Sequence, residues 1–192
     1  DGGGSGDNSN TQYAALGPRA CFDAGIMIPE ETISSAVKWL VESAHPVEGV
    51  DKVGANAVGT GPGETPGKPQ GWGYKGSGEG EAYGSMTVGA VGALTIYDYM
   101  MKKDWKKDTI VKNGVAWITA NYDIDSNPKK GGAWLYYYLY GLERVGVLYD
   151  TKFFGNRDWY QEGASWLLSK QGRNGAWNAE WDTWFAILFL KK

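Results

Sequence analysis

The chain has one cysteine, Cys21, and one histidine, His45, in 192 residues. A lone cysteine cannot close an internal disulfide, and one Cys with one His rarely completes a zinc site. The single histidine also leaves little for a Ser-His-Asp arrangement. Cys21 follows Ala20 on an apolar helical stretch and reads as a buried structural thiol. His45 stands before Pro46, where a helix ends, and reads as a capping or surface residue. Nineteen Lys and Arg face twenty-two Asp and Glu, for a net charge of −3. The cations are scattered, so no nucleic-acid partner is expected. Lys102-Lys103 and Lys106-Lys107 flank Asp104 and Trp105 and read as a solvated helix junction. No apolar run approaches the roughly 20 residues of a membrane span, so none is expected, and no signal-peptide pattern is visible. The chain opens on Asp1 and a Gly-rich run to Gly6, which reads as a start inside a loop.

Glycine and aromatic residues are abundant: 29 Gly, ten Trp and twelve Tyr. That mixture fits large side chains packed on close backbone, or lining a pocket. The length suits one domain, 1–192, or at most two small ones, with a core that buries about 70% of the unfolded surface.

Self-similarity organises the chain. Ala36-Val37-Lys38-Trp39-Leu40, Gly114-Val115-Ala116-Trp117-Ile118 and Gly163-Ala164-Ser165-Trp166-Leu167 share a Trp before an aliphatic residue. Each has a small residue three positions earlier. On a helix that offset shares a face and lets a neighbour come close. After each comes a loop with a Gly-Trp element: Gly71-Trp72, Gly132-Ala133-Trp134, Gly175-Ala176-Trp177. Thr11 to Ala14, Thr87 to Ala90 and Thr183 to Ala186 all read Thr-x-x-Ala and open apolar runs. Asn10 and Asp182 precede two of these threonines as helix starters. Seven helices are predicted, near 10–24, 30–44, 85–102, 107–121, 134–149, 157–170 and 182–190. Pro29 before Glu30 and Glu31 supports the second start, and Asp158 is placed in the first turn of the sixth. Apolar spacing of three and four, as in Ile33, Ala36, Val37, Leu40 and Val41, leaves little signal for strands. Residues from about 46 to 84, with Pro46, Pro62, Pro66 and Pro69, read as a long Gly/Pro-rich loop insertion. Within it Gly71-Trp72-Gly73-Tyr74-Lys75-Gly76 spells GxGxxG, but no apolar strand precedes it to build a phosphate cradle.

The segment Gly163-Ala164-Ser165-Trp166-Leu167 through Gln171 to Gly175-Ala176-Trp177 resembles the QW motif of squalene and oxidosqualene cyclases. Trp117 and Trp134 match more loosely, without the Gln. Asp7 to Ala14, Tyr138 to Arg144 and Asp158 to Gly163 resemble uncharacterised bacterial repeat proteins, of the planctomycete type, in the same prenyltransferase and squalene-cyclase superfamily. The resemblance covers nearly the whole chain outside 46–70. It implies an all-α, partial α/α toroid of tandem helix pairs, with inner helices starting near 10, 85, 134 and 182. Seven helices make three and a half pairs, fewer than the five or six of a closed ring. The resemblance therefore implies a partner, either the rest of the ring in a longer chain or a second copy.

Cyclases of that superfamily carry Asp-x-Asp-Asp-Thr at the start of an inner helix, and the middle Asp protonates the alkene. General-acid chemistry requires a carboxyl at that position. In Asp7-Asn8-Ser9-Asn10-Thr11 the acid position holds Ser9, and in Ala179-Glu180-Trp181-Asp182-Thr183 it holds Trp181. Tyr83 to Thr87 offers no acid. Asp123-Ile124-Asp125 precedes Asn127-Pro128 and reads as a turn. The prenyltransferase zinc set also fails, because Cys21 lacks an Asp two residues before it. No metal and no cofactor is implied.

What remains is a pocket where the inner helix N-termini meet, with backbone N–H groups that favour polar ligands. Asp7, Asn8, Asn10, Gln12, Tyr13, Tyr137, Tyr138 and Asp182 are the candidate lining, for a small molecule or a glycan. The other reading makes Asn10 and Asp182 helix caps and pairs Glu143 with Arg144. The Trp residues of the QW-like segments are expected to staple adjacent repeats. Two functions are carried forward. One is a binding and interaction module without the cyclase acid. The other is part of a terpene-cyclase-like or carbohydrate-active enzyme whose catalytic residues lie mostly outside this chain.

Overall fold

The computed structural model describes residues 6–47, 67–76 and 80–191. Among them the chain forms seven α-helices: α1 (Asn8–Asp23), α2 (Glu30–Glu42), α3 (Gly84–Met100), α4 (Thr109–Ala120), α5 (Leu135–Leu148), α6 (Trp159–Lys170) and α7 (Glu180–Lys191). The fold is all-α, as predicted. The single addition is a hairpin of β1 (Phe153–Phe154) and β2 (Arg157–Asp158), turning at Gly155 with φ 64°. Two-residue strands are too short to leave an alternating pattern.

Helix ends shift by a residue or two from expectation because other side chains take the caps. Asp7, not Asn10, caps α1: its carboxylate accepts from Asn10 N at 2.9 Å. Asp158 lies outside α6 as its N-cap, accepting from Gln161 N at 3.0 Å. Asp108 does the same for α4 through Ile110 N at 2.8 Å. Asp182 lies inside the first turn of α7. Cys21 is half-buried, not enclosed as expected. Asp123 accepts from Asp125 N and the Ser126 hydroxyl, forming the expected turn.

The odd-numbered helices form one row. α3 packs on α1 at one side and on α5 at the other, and α5 packs on α7. α2 and α4 back onto α3, and α6 lies against α5 and α7. Every residue of α3 except Tyr99 is buried, which explains why this helix is apolar all round. Two of the small residues three before a Trp, Gly114 and Gly163, act as the spacing predicts. A Cβ at Gly114 would overlap Val91 of α3, and one at Gly163 would overlap the Phe189 ring of α7.

The seams are closed by indoles. Trp72 is fully buried and donates from Nε1 to Leu40 O at 2.7 Å; Trp177 donates to Leu167 O at 2.9 Å. The backbone N–H of each is received by a threonine on the following helix, Thr87 Oγ1 of α3 and Thr183 Oγ1 of α7, at 3.0 Å in both cases. Each threonine in turn donates to the carbonyl four residues back, Tyr83 and Ala179. The same loop-to-helix lock thus occurs twice among the described residues.

Trp134 departs from this pattern, and the expected staple is absent there. It is 67% exposed, with a left-handed backbone (φ 58°), directly ahead of α5. The position that holds Thr in α1, α3 and α7 is Tyr138 in α5, and its ring is buried. No threonine hydroxyl is there to receive a loop N–H, and the indole ahead of α5 is turned outward. A bulky residue at positive φ costs on the order of 1–3 kcal/mol unless its surroundings impose it.

Residues 48–66 and 77–79 of the expected insertion lie outside the described residues. Residues 67–76 form a strap across the helices. Gln70 N donates to Asn113 O at 3.2 Å, and Trp72 forms an isolated bridge with Ala44.

Candidate functional site

The first turns of α1, α3, α5 and α7 come together around one cavity. The starts of α3 and α5 are tied by Asn127, which is fully buried. Its Oδ1 accepts from Ser85 N at 2.9 Å, and its Nδ2 donates to Ser85 Oγ at 3.1 Å and Ala133 O at 3.0 Å. One side chain from the α4–α5 loop therefore caps α3 and holds the residue before Trp134.

The cavity encloses about 600 Å³ and is walled by Tyr13, Tyr74, Tyr83, Trp134, Tyr137 and Phe185. Ser9, Ser85, Met86 and Lys130 complete it. The rings brace one another. Tyr13 stacks on Tyr137 at 6.3 Å between centroids, and Phe185 meets Tyr137 at 5.5 Å. Lys130 Nζ lies 4.7 Å from the Tyr83 ring centre, a cation–π contact. The Tyr137 hydroxyl is buried with no hydrogen-bond partner among the described residues. Burial pushes the Tyr83 hydroxyl up to about 12, with the neighbouring Tyr74 and Asp7 adding to it. Burial likewise raises Tyr137, followed by Tyr13 and Tyr83. These phenols stay neutral at physiological pH and can donate as well as accept.

No family model, curated protein or solved structure matches this chain. The site's own geometry is therefore what assigns roles to its residues.

A second cavity, about 620 Å³, opens between the start of α5, the end of α6 and the start of α7. Trp134, Tyr136, Trp166, Trp181, Lys170 and Asp182 face it. Burial raises the Asp182 pKa, with a hydrogen bond from Ala179 N working against it. Trp134 borders both cavities. Among the described residues, no group of three or more His, Cys, Asp and Glu is placed to hold a metal ion. No described helix is long and apolar enough to cross a membrane.

The eight predicted site residues divide. Tyr13 and Tyr137 line the first cavity, and Asp182 the second. Asp7 is a cap: burial opposes its ionisation, but hydrogen bonds from Ser9 and Asn10 outweigh this and lower its pKa. Asn10 also donates its side-chain amide to Asp7. Asn8 is buried away from the cavity, where it ties three segments. It donates to Gly73 O at 2.9 Å and accepts from Trp39 Nε1 at 3.1 Å. Tyr138 is buried in the core. Gln12 lies against Gly89 of α3 and faces a separate, small crevice. Glu143 pairs with its neighbour Arg144 at 3.0 Å, in keeping with the structural reading.

Ser9, Ser85, Met86, Lys130, Trp134, Phe185, Tyr74 and Tyr83 were missed as lining of the first cavity. A signal for several of them was present. Counting from Thr11, Thr87, Tyr138 and Thr183, the cavity residues on the helices fall two before (Ser9, Ser85), one before (Met86, Tyr137) or two after (Tyr13, Phe185).

Proposed function

We propose that this chain is a ligand-binding module of the squalene-cyclase-like repeat type, lacking the cyclase acid, and that its site is the aromatic mouth shared by α1, α3, α5 and α7. The observation that carries this reading is the composition of the wall. Six aromatic residues supply flat apolar faces, and Ser9, Ser85 and the tyrosine hydroxyls supply polar edges. The volume suits a small-molecule site, for which about 300–1,000 Å³ is usual. A sugar ring fits both features, with C–H faces for the rings and hydroxyls for the edges. No carboxylate is among the described lining residues, so the wall offers no carboxylic acid of the kind the cyclase proton transfer requires. Ser9, at the position where the resemblance would require the acid, lies on that wall. The row α1–α3–α5–α7 backed by α2, α4 and α6 agrees with the inner and outer helices of such repeats.

The test is a calorimetric titration with β-1,4-linked glucose and N-acetylglucosamine oligomers, α-1,4-linked galacturonate oligomers and, separately, a C15 isoprenoid alcohol. Saccharide binding that weakens at least tenfold in Y13A is the expected result. Isoprenoid binding without saccharide binding would overturn the reading.

A further inference from the structure

We propose that the ligand is an oligosaccharide held in two subsites, with the second cavity as the outer subsite and Trp134 as the shared wall. The inference rests on the saccharide reading of the first cavity and adds a site to it. Each cavity alone, at about 600 and 620 Å³, suits a drug-sized ligand. One small molecule does not fill both, whereas a chain of sugar rings does. The second cavity repeats the chemistry of the first. It has flat indoles (Trp134, Trp166, Trp181) beside Tyr136, with Asp182 and Lys170 as hydrogen-bonding groups. Trp181 is 54% exposed and Trp134 is 67% exposed, so both offer open ring faces. Trp134 is also the one aromatic among the four described non-glycine residues with left-handed backbone, and it makes no side-chain cap bond. Backbone strain at an exposed aromatic between two cavities is the pattern of a functional position. Two linked subsites raise affinity because the second ring binds from an already tethered chain.

Trp184 provides an internal control. It is 57% exposed on the same helix as Trp181, yet it lines neither cavity. The experiment is a titration of saccharides from two to six units into wild type, W181A, W184A and W134A, with oligomeric state followed by light scattering. Wild-type affinity should rise with chain length. W181A should lose at least tenfold for the longest chains and nothing for the disaccharide. W184A should match wild type, and W134A should weaken both. Indole N–H resonances of wild type give a second readout needing no variant: the Trp181 signal should move with long chains only. Three results would overturn the inference. Disaccharide binding with no length dependence would remove the outer subsite and leave the first cavity's reading intact. A W181A protein that changes association but not saccharide affinity would make this face a contact with a second copy. Absence of saccharide binding at every length would remove both readings.

Discussion

The first and third Gly-Trp loops differ from the second in a way that separates structure from function. Trp72 and Trp177 face inward, each donating to a carbonyl of the preceding outer helix and locked by a threonine. Trp134 has a similar Gly-rich lead but stands one residue ahead of α5, where Trp177 stands three ahead of α7 and Trp72 twelve ahead of α3, and it faces out. Where α3 and α7 carry the receiving threonine, α5 carries Tyr138. The aromatic ahead of α5 stands outside the seam, between two cavities.

The comparison breaks most readily by truncation. W72A or W177A should cost about 3–5 kcal/mol, as expected for a buried Trp with cavity formation, while W134A should stay within about 0.5 kcal/mol. Urea unfolding midpoints measure both, and equal losses would erase the distinction. Next in size, G163A should cost about 1–3 kcal/mol by overpacking against Phe189. G132A, whose Cβ would meet nothing within 4 Å, should show no such loss in the same unfolding series. Third, W134G should exceed W134A in stability by about 1 kcal/mol, because only glycine accepts the left-handed backbone freely. A W134G melting temperature at or below that of W134A would remove strain from the account.

The smallest contrast concerns the carboxylates at the starts of the first and last inner helices. Asp7 has a lowered pKa, so its ionised form stabilises the fold above the unfolded value near 4. D7A should cost about 1 kcal/mol at pH 7, and the loss should shrink as pH falls through the lowered pKa. Asp182 has a raised pKa, so its ionisation works against folding above the unfolded value. D182N should therefore be more stable than wild type at pH 7, with the gain vanishing as pH falls below about 4. Thermal melts from pH 3 to pH 7 give both slopes, and slopes of the same sign would refute the assignment.

The helices were legible because their apolar spacing repeats over many residues, and the seams because Trp and a small residue recur at fixed offsets. Gly114 and Gly163 needed no coordinates to be identified as close-approach points. The site was legible only in part. Tyr13 and Tyr137 could be proposed from their place near helix starts. Asn8 and Tyr138 have equally suggestive places, and only the direction of the side chain separates them from the cavity. Tyr74 lies on the strap and Tyr83 directly ahead of α3, both outside any apolar periodicity, so no pattern announces them. Trp134 was misread because its letters match Trp177, while its role depends on a single backbone angle.

Asn127 has a consequence for how the mouth would take a guest. Because one amide fastens both the beginning of α3 and the residue before Trp134, the indole wall cannot tilt without disturbing the most deeply enclosed helix of the protein. The mouth is thereby preorganised, and little ordering entropy is left to lose on association. Removing that amide should leave the ring faces in place but let them wander, so that affinity falls through entropy while the contacts themselves survive.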